Sequence, residues 1–143
     1  VVAAAAYYLI VWLLPFGAVP HPATGWLAIV AGVLAGLAFG VPLMAYAGSI
    51  EDDKGQFALV QRFLFMPMFL FSGTFYPLDS LPVWLQWIGW VSPLWHATEL
   101  GRVATYGAGV APAMIAVHLG YLLVLTAAGY LWARKVFTER LAK

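Results

Sequence analysis

The chain has 143 residues, 64% apolar and 9% charged, with a formal net charge of +1 and no cysteine. Soluble domains carry roughly 25% charged residues, and a domain this small leaves too much surface exposed to hide so many apolar side chains, so a water-soluble globule is excluded. Zero cysteines exclude a disulfide framework, a thiolate metal site and a cysteine nucleophile, and the near-neutral charge gives no electrostatic basis for nucleic-acid binding.

A membrane-crossing helix needs about 20 mostly apolar residues, and four segments approach that length. The first runs from Val1 to about Phe16, inside a stretch, residues 1–50, that holds no Asp, Glu, Lys or Arg. It opens without an initiator Met and without the basic flank of a signal peptide, so we expect the C-terminal portion of a longer protein. Prolines and glycines over residues 17–25 break it. The second span runs from Trp26 to about Gly48. Its Gly32, Gly36 and Gly40, with Ala28 ahead of them, form a row of small residues that admits a neighbouring helix at close range. Packing within the chain is preferred here to a seam between subunits.

Residues 49–56 form a polar loop whose Glu51, Asp52, Asp53 and Lys54 read as a solvated turn, with a contact surface for a cytosolic partner as the alternative. The spacing fits no metal loop. The third span covers Phe57 to Phe75. Arg62 lies near its start, where snorkelling toward headgroups is preferred to a substrate role.

The stretch from Phe71 to Arg102 is unlike its flanks. Trp84, Trp87, Trp90 and Trp95 fall close together, and Pro77, Pro82 and Pro93 interrupt the apolar sequence. A fifth full span is disfavoured by these prolines and by Gln86, Ser92 and His96. Two short helices over residues 77–106 are predicted instead, forming a re-entrant hairpin. Asp79 or Ser80 caps the first, with Pro82 in its opening turn; Ser92 caps the second, with Pro93 at its first position. Trp84, Trp87, Ile88 and Val91 share one helical face. These tryptophans serve as an interfacial anchor or line an exit path, two compatible roles. Glu99 and Arg102 stand at i, i+3 and can pair.

The fourth span runs from about Val110 to Ala133, with His118 read as a packing histidine rather than a proton relay, and a basic tail follows. In this four-span arrangement Lys54, Arg62, Arg134, Lys135, Arg140 and Lys143 fall on one side and Arg102 on the other. Basic residues favour the cytoplasm, so residues 49–56 and the tail are expected inside and the hairpin outside. The predicted fold is an all-α integral membrane protein with four transmembrane helices and an extracytoplasmic re-entrant hairpin between the last two. No phosphate loop, zinc motif or nucleophile elbow is present, and no catalytic, cofactor-binding or metal residue is assigned.

The ordered residues Phe71-Ser72-Gly73, Phe75-Tyr76-Pro77, Leu81-Pro82, Trp84-Leu85, Ser92-Pro93 and His96-Ala97-Thr98-Glu99 with Arg102 resemble the signature region of type-2 ATP-binding cassette (ABC) exporter permeases. The likeness is greatest to the branch of lipooligosaccharide (nodulation-type) and drug-resistance exporters. Many members carry Asn-Pro where this chain has Ser92-Pro93. Members have six spans, so the resemblance implies that residues 1–143 correspond to spans three to six, the C-terminal part of the transmembrane domain.

The resemblance further implies a permease without its own ATPase site, in the bacterial cytoplasmic membrane, paired with a second permease copy and with cytosolic ABC ATPase subunits. ATP and Mg would belong to those partner subunits. Phe75, Tyr76 and Pro77 map onto the start of an exit hairpin, Glu99 and Arg102 onto its end, and residues 51–56 onto a turn near the ATPases. The expected cargo is amphipathic, a lipid-linked saccharide or a hydrophobic drug moved outward among membrane lipids. An ion-gradient-driven transporter and a non-transporting membrane scaffold are the alternatives.

Overall fold

The computed structural model describes residues 2–13, 21–52 and 54–142, and these are helical with no strand among them. Helix α1 spans Val2–Leu13. A helical turn, α2, Pro22–Gly25, leads through Trp26 into the long α3, Leu27–Ser49. Val1 and residues 14–16 of the first predicted span, and residues 17–20 of the break that follows, lie outside the described residues.

The third predicted span is a composite helix. It begins as α4, Gln56–Val60, widens into a π-helical turn, Gln61–Phe65, and ends as α5, Met66–Leu70. The cause of the widening is Pro67. It has no N–H to offer Phe63, and its ring crowds that carbonyl, so the ladder opens by one residue; Met66 N–H donates to the Gln61 carbonyl, five residues back. The helix then stops at Leu70, short of the predicted Phe75, because Gly73 turns the chain with φ +78°.

A short 3₁₀ turn, Leu78–Ser80, precedes α6, Val83–Val91, and α7, Pro93–Tyr106. These short helices fall within residues 77–106, but the predicted first cap is not formed. Ser80 Oγ donates to the Pro77 carbonyl at 2.6 Å, and Asp79 lies inside the 3₁₀ turn, leaving Pro82 itself at the N-cap of α6. The last helix, α8, Pro112–Leu141, carries the basic tail as a continuation of the span.

Helices α3 and α8 pack along each other, and α7 lies across both. Their shared core is Ala31, Ala35, Ala38, Ala97, Leu100 and Leu122, so backbones approach closely over alanines. At Pro42, inside α3, the approach is closest: a Cβ built on Gly129 of α8 would stand 2.5 Å from Pro42 Cγ. The predicted packing row is displaced. A Cβ on Gly32, Gly36 or Gly40 would meet nothing within 4 Å, so the intrachain seam uses Ala31, Ala35 and Ala38 and leaves this glycine row open.

Two helical stretches are long and apolar enough to cross a bilayer, Ala23–Ser49 and Pro112–Leu141, while α1 and Gln56–Leu70 are shorter apolar helices. Only 17% of the apolar window of each long stretch is buried. A core helix of a soluble protein hides such a surface; here it points outward, as it does on a helix facing lipid or a neighbour. At about 1.5 Å per residue, the 23 residues of α3 extend about 34 Å, matching a hydrocarbon core of about 30 Å.

The two ends of this bundle are marked by polar contacts. At one, His21 N–H donates to the Thr105 carbonyl at 3.1 Å and Thr24 Oγ1 donates to the Ala104 carbonyl at 2.7 Å. At the other, Arg140 Nη2 donates to the Ile50 carbonyl at 2.7 Å, and Phe137 packs on Gly48. The loop after α3 therefore shares one end with the tail of α8, and the hairpin shares the opposite end with α2.

Candidate functional site

The hairpin is fastened to the rest of the protein at three places, each set by local sequence. The first is the turn after α5. Ser72 is buried, and its Oγ donates to Thr74 Oγ1 at 2.9 Å while accepting from Thr74 N–H at 3.3 Å. The Gly73 carbonyl accepts a hydrogen bond from Arg102 Nη2, and Arg102 Nη1 pairs with Glu99 Oε1 at 2.7 Å. The predicted Glu99–Arg102 pair is thus present and does more than predicted, because the same guanidinium ties α7 to the end of the third helix. Gly73 is favoured by its positive φ, and the fit is tight as well, since an added Cβ would lie 3.1 Å from Trp95 Cδ1.

The second fastening is α6 on the turn below it. Gly89 faces Leu78 so closely that a Cβ would stand 2.6 Å from both Leu78 methyl carbons. Helix α6 packs through this glycine with Leu85 and Gln86 half-buried beside it, and Gln86 Nε2 donates to the Leu81 carbonyl at 2.9 Å. Of the face predicted from Trp84, Trp87, Ile88 and Val91, three residues are turned outward, with Trp84 70% exposed, Trp87 57% and Val91 62%, while Ile88 is half-buried; Trp90 is also exposed. Phe75, Pro77 and Pro82 are exposed as well, and Tyr76 is half-buried. Pro93, by contrast, is buried at the start of α7, where its missing N–H and fixed φ suit the first helical position. Ser92 sits at that N-cap but makes no side-chain cap; its Oγ lies 3.5 Å from the Met68 carbonyl of α5.

The third fastening joins α7 to α8. His96 and His118 are both buried, with their Nδ1 atoms 2.7 Å apart, and His96 Nε2 lies 2.9 Å from the Trp90 carbonyl. Tyr121 stacks on His96 with ring centroids 4.0 Å apart, and its hydroxyl donates to the Val91 carbonyl. Trp95 closes the cluster against both imidazoles. Burial holds the His96 imidazole below its ordinary pKa, the Trp90 carbonyl opposes this weakly, and the neighbouring His118 adds to the lowering.

Below the hairpin lies an apolar cavity of about 460 Å³, walled by Pro42 and Tyr46 of α3, Leu64 of the π-turn, Met68 of α5, and Tyr121 and Trp132 of α8. Val91 and Pro93 of the hairpin reach its rim. No group of His, Asp, Glu or Cys among the described residues is placed to hold a metal ion. The site is thus a jointed cover over apolar space, with no acid or nucleophile aimed into it.

The model of the ABC-2 type transporter family matches residues 1–106, from α1 through the end of α7. The chain belongs to the ABC-2 type transporter family. It is also similar to nodulation protein J of Rhizobium leguminosarum bv. viciae, 30% identical over 127 residues, covering 84% of this chain and 47% of that protein. It is 33% identical over 67 residues to the probable multidrug ABC transporter permease YbhR of Escherichia coli (strain K12), covering 45% of this chain and 18% of that permease. The chain therefore spans about half or less of the curated relatives it matches. No solved structure matches it.

For an ABC-2 transporter segment, the loop after α3 is plain: Glu51, Asp52 and Lys54 are exposed, and Gly55, at φ +98°, turns the chain into α4. Asp53 lies outside the described residues. Sequence reasoning missed the joint between His96 and His118. Both residues are polar in apolar surroundings, and a buried polar group needs a partner. That requirement was the available signal, though it does not say which partner.

Proposed function

We propose that this chain is the membrane-embedded permease part of an ABC exporter that moves an amphipathic substrate outward, driven by ATP hydrolysed in a partner subunit. The observation that carries the reading is the cover over the apolar cavity. The hairpin is joined to the turn after α5 through Arg102 and to α8 through His118, so movement of either element is passed to the lid. Under this proposal the residues of the chain bind, gate and transmit, and hydrolysis belongs to the partner. In this reading α1, α3, the composite helix and α8 form four spans. The hairpin lies on the outer face, with Trp84, Trp87 and Trp90 at the lipid headgroups, where amphipathic rings are favoured.

Residues 51–54, at the opposite end, face the cytosolic ATPase subunits, which hold the ATP and Mg. A second permease copy completes the pathway, and the assembly sits in the bacterial cytoplasmic membrane. The names of the relatives point to lipooligosaccharide-type or drug-like cargo, and the apolar walls of the cavity suit the lipid portion of either. Co-purification of the natural full-length protein with an ABC ATPase, followed by reconstitution in vesicles, tests this. ATP-dependent extrusion of an amphipathic dye is expected. Purification without any ATPase partner, or extrusion driven by an ion gradient alone, overturns it.

A further inference from the structure

Arg62 lies in the π-helical turn, about 9 Å along the axis from Gln56 at about 1.5 Å per residue. No hydrogen bond or ion pair engages it among the described residues. Its surroundings differ from those of a cation on a flat helix. Arg62 lines a groove of about 440 Å³ with Met66, Phe69, Leu70, Phe71 and Phe75. Phe75 reaches this face because the turn after α5 folds back, setting its ring edge-on to Phe69 at 5.1 Å between centroids. The groove therefore has a cation toward one end and an aromatic wall toward the other, and its volume lies within the range of about 300–1,000 Å³ usual for small-molecule sites. The cavity below the hairpin and the groove beside Gly32 and Gly36 hold no ionised side chain.

We infer that this groove binds a phosphate-bearing lipid, with the phosphate on Arg62 and an acyl chain along Met66, Phe69 and Phe75. The planar guanidinium presents paired donors that match phosphate oxygens, and Met and Phe side chains conform to a flexible chain. Charge complementarity favours this occupant over a second copy of the protein. Of the six acidic residues, Glu51, Asp52 and Asp53 belong to the loop, Asp79 to the hairpin turn and Glu139 to the tail, while Glu99 is already paired with Arg102. Among the described residues, none of them lies on a membrane-depth apolar face where it would meet Arg62. An ionised side chain within a span calls for a partner, and the π-helical turn that carries Arg62 is a geometry that recurs at functional sites. As a statement about cargo, the inference rests on the exporter reading; as a statement about binding, it does not.

The test uses the full chain in phosphatidylcholine nanodiscs, probed with phosphatidic acid carrying a photoactivatable group in its acyl chain. Label is expected on residues 66–75, displaced by excess unlabelled phosphatidic acid and not by phosphatidylcholine. Arg62→Gln lowers labelling about tenfold, the loss of one charge-assisted contact, and Arg62→Lys retains part of it. Equal labelling by a phosphatidylcholine probe, or in R62Q, overturns the site as ordinary lipid contact. Efficient disulfide linkage of two copies through Met66→Cys overturns it in favour of a second subunit. The two readings separate cleanly. Lipid capture without ATP-dependent export removes the exporter reading and keeps the site, whereas R62Q with both labelling and export undiminished removes the site and keeps the exporter.

Discussion

His96 and His118 face each other Nδ1 to Nδ1 at 2.7 Å, and one contact elsewhere decides which of them donates. The Trp90 carbonyl accepts from His96 Nε2, 2.9 Å away, so a neutral His96 carries its proton there and presents a lone pair at Nδ1. His118 must then donate from Nδ1. The hairpin is thus held to α8 by a hydrogen bond whose direction is set by the backbone of α6.

This arrangement has a pH dependence. Burial lowers the His96 pKa below its ordinary 6.5, so a hairpin freed from α8 takes up a proton more readily than a docked one. Docking is at full strength above about pH 6.5 and weakens as pH falls below it. Thermal unfolding of the purified protein, followed between about pH 5 and 8, should show a midpoint that drops on the acid side, with the slope reduced in His96→Gln. An acid-side slope persisting unchanged in that variant would assign the titration elsewhere.

Arg102 serves two acceptors, the Glu99 carboxylate and the Gly73 carbonyl. Arg102→Ala is therefore expected to destabilise more than Glu99→Ala, and the pair to couple by about 0.5–3 kcal/mol in a double-mutant cycle. Additive effects of equal size would mean that the guanidinium does not bridge the two.

At the crossing of α3 and α8, Gly129→Ala drives a methyl to within 2.5 Å of the Pro42 ring and should cost about 1–3 kcal/mol, as overpacking does. Gly36→Ala, with nothing within 4 Å, should be neutral or stabilising by up to about 1 kcal/mol from helix propensity. Melting temperatures in detergent distinguish the two, and the reverse order would refute the crossing.

Replacing Trp84, Trp87 and Trp90 together by Ala removes three exposed rings that carry none of the hairpin's fastenings. Folding and membrane insertion should persist while export falls several-fold, through loss of interfacial purchase or of the exit wall. Export at the unmodified rate would take these tryptophans out of the mechanism.

Legibility followed the range of the interactions involved. Helix α3, the Pro93 start of α7 and the Glu99–Arg102 pair depend on neighbours in sequence, and periodicity and spacing reveal them. The third helix was drawn too long because its apolar run continues to Phe75, whereas Gly73 ends it through a backbone angle that apolarity does not encode. Gly32, Gly36 and Gly40 look like a packing row, yet the alanines beside them form the seam, since a three-to-four-residue period does not say which row faces which helix. The His96–His118 joint joins two elements distant in sequence, and nothing local marks it.

Alanine has no side-chain torsion to freeze and nothing to interlock, so the contact between α3 and α8 is smooth along most of its length. Their axial alignment is fixed where shape is specific, at the proline of one seated in the glycine notch of the other. His118 stands on one side of that notch and Phe137 on the other, so the heights of the histidine joint and of the loop contact are gauged from a single fixed point.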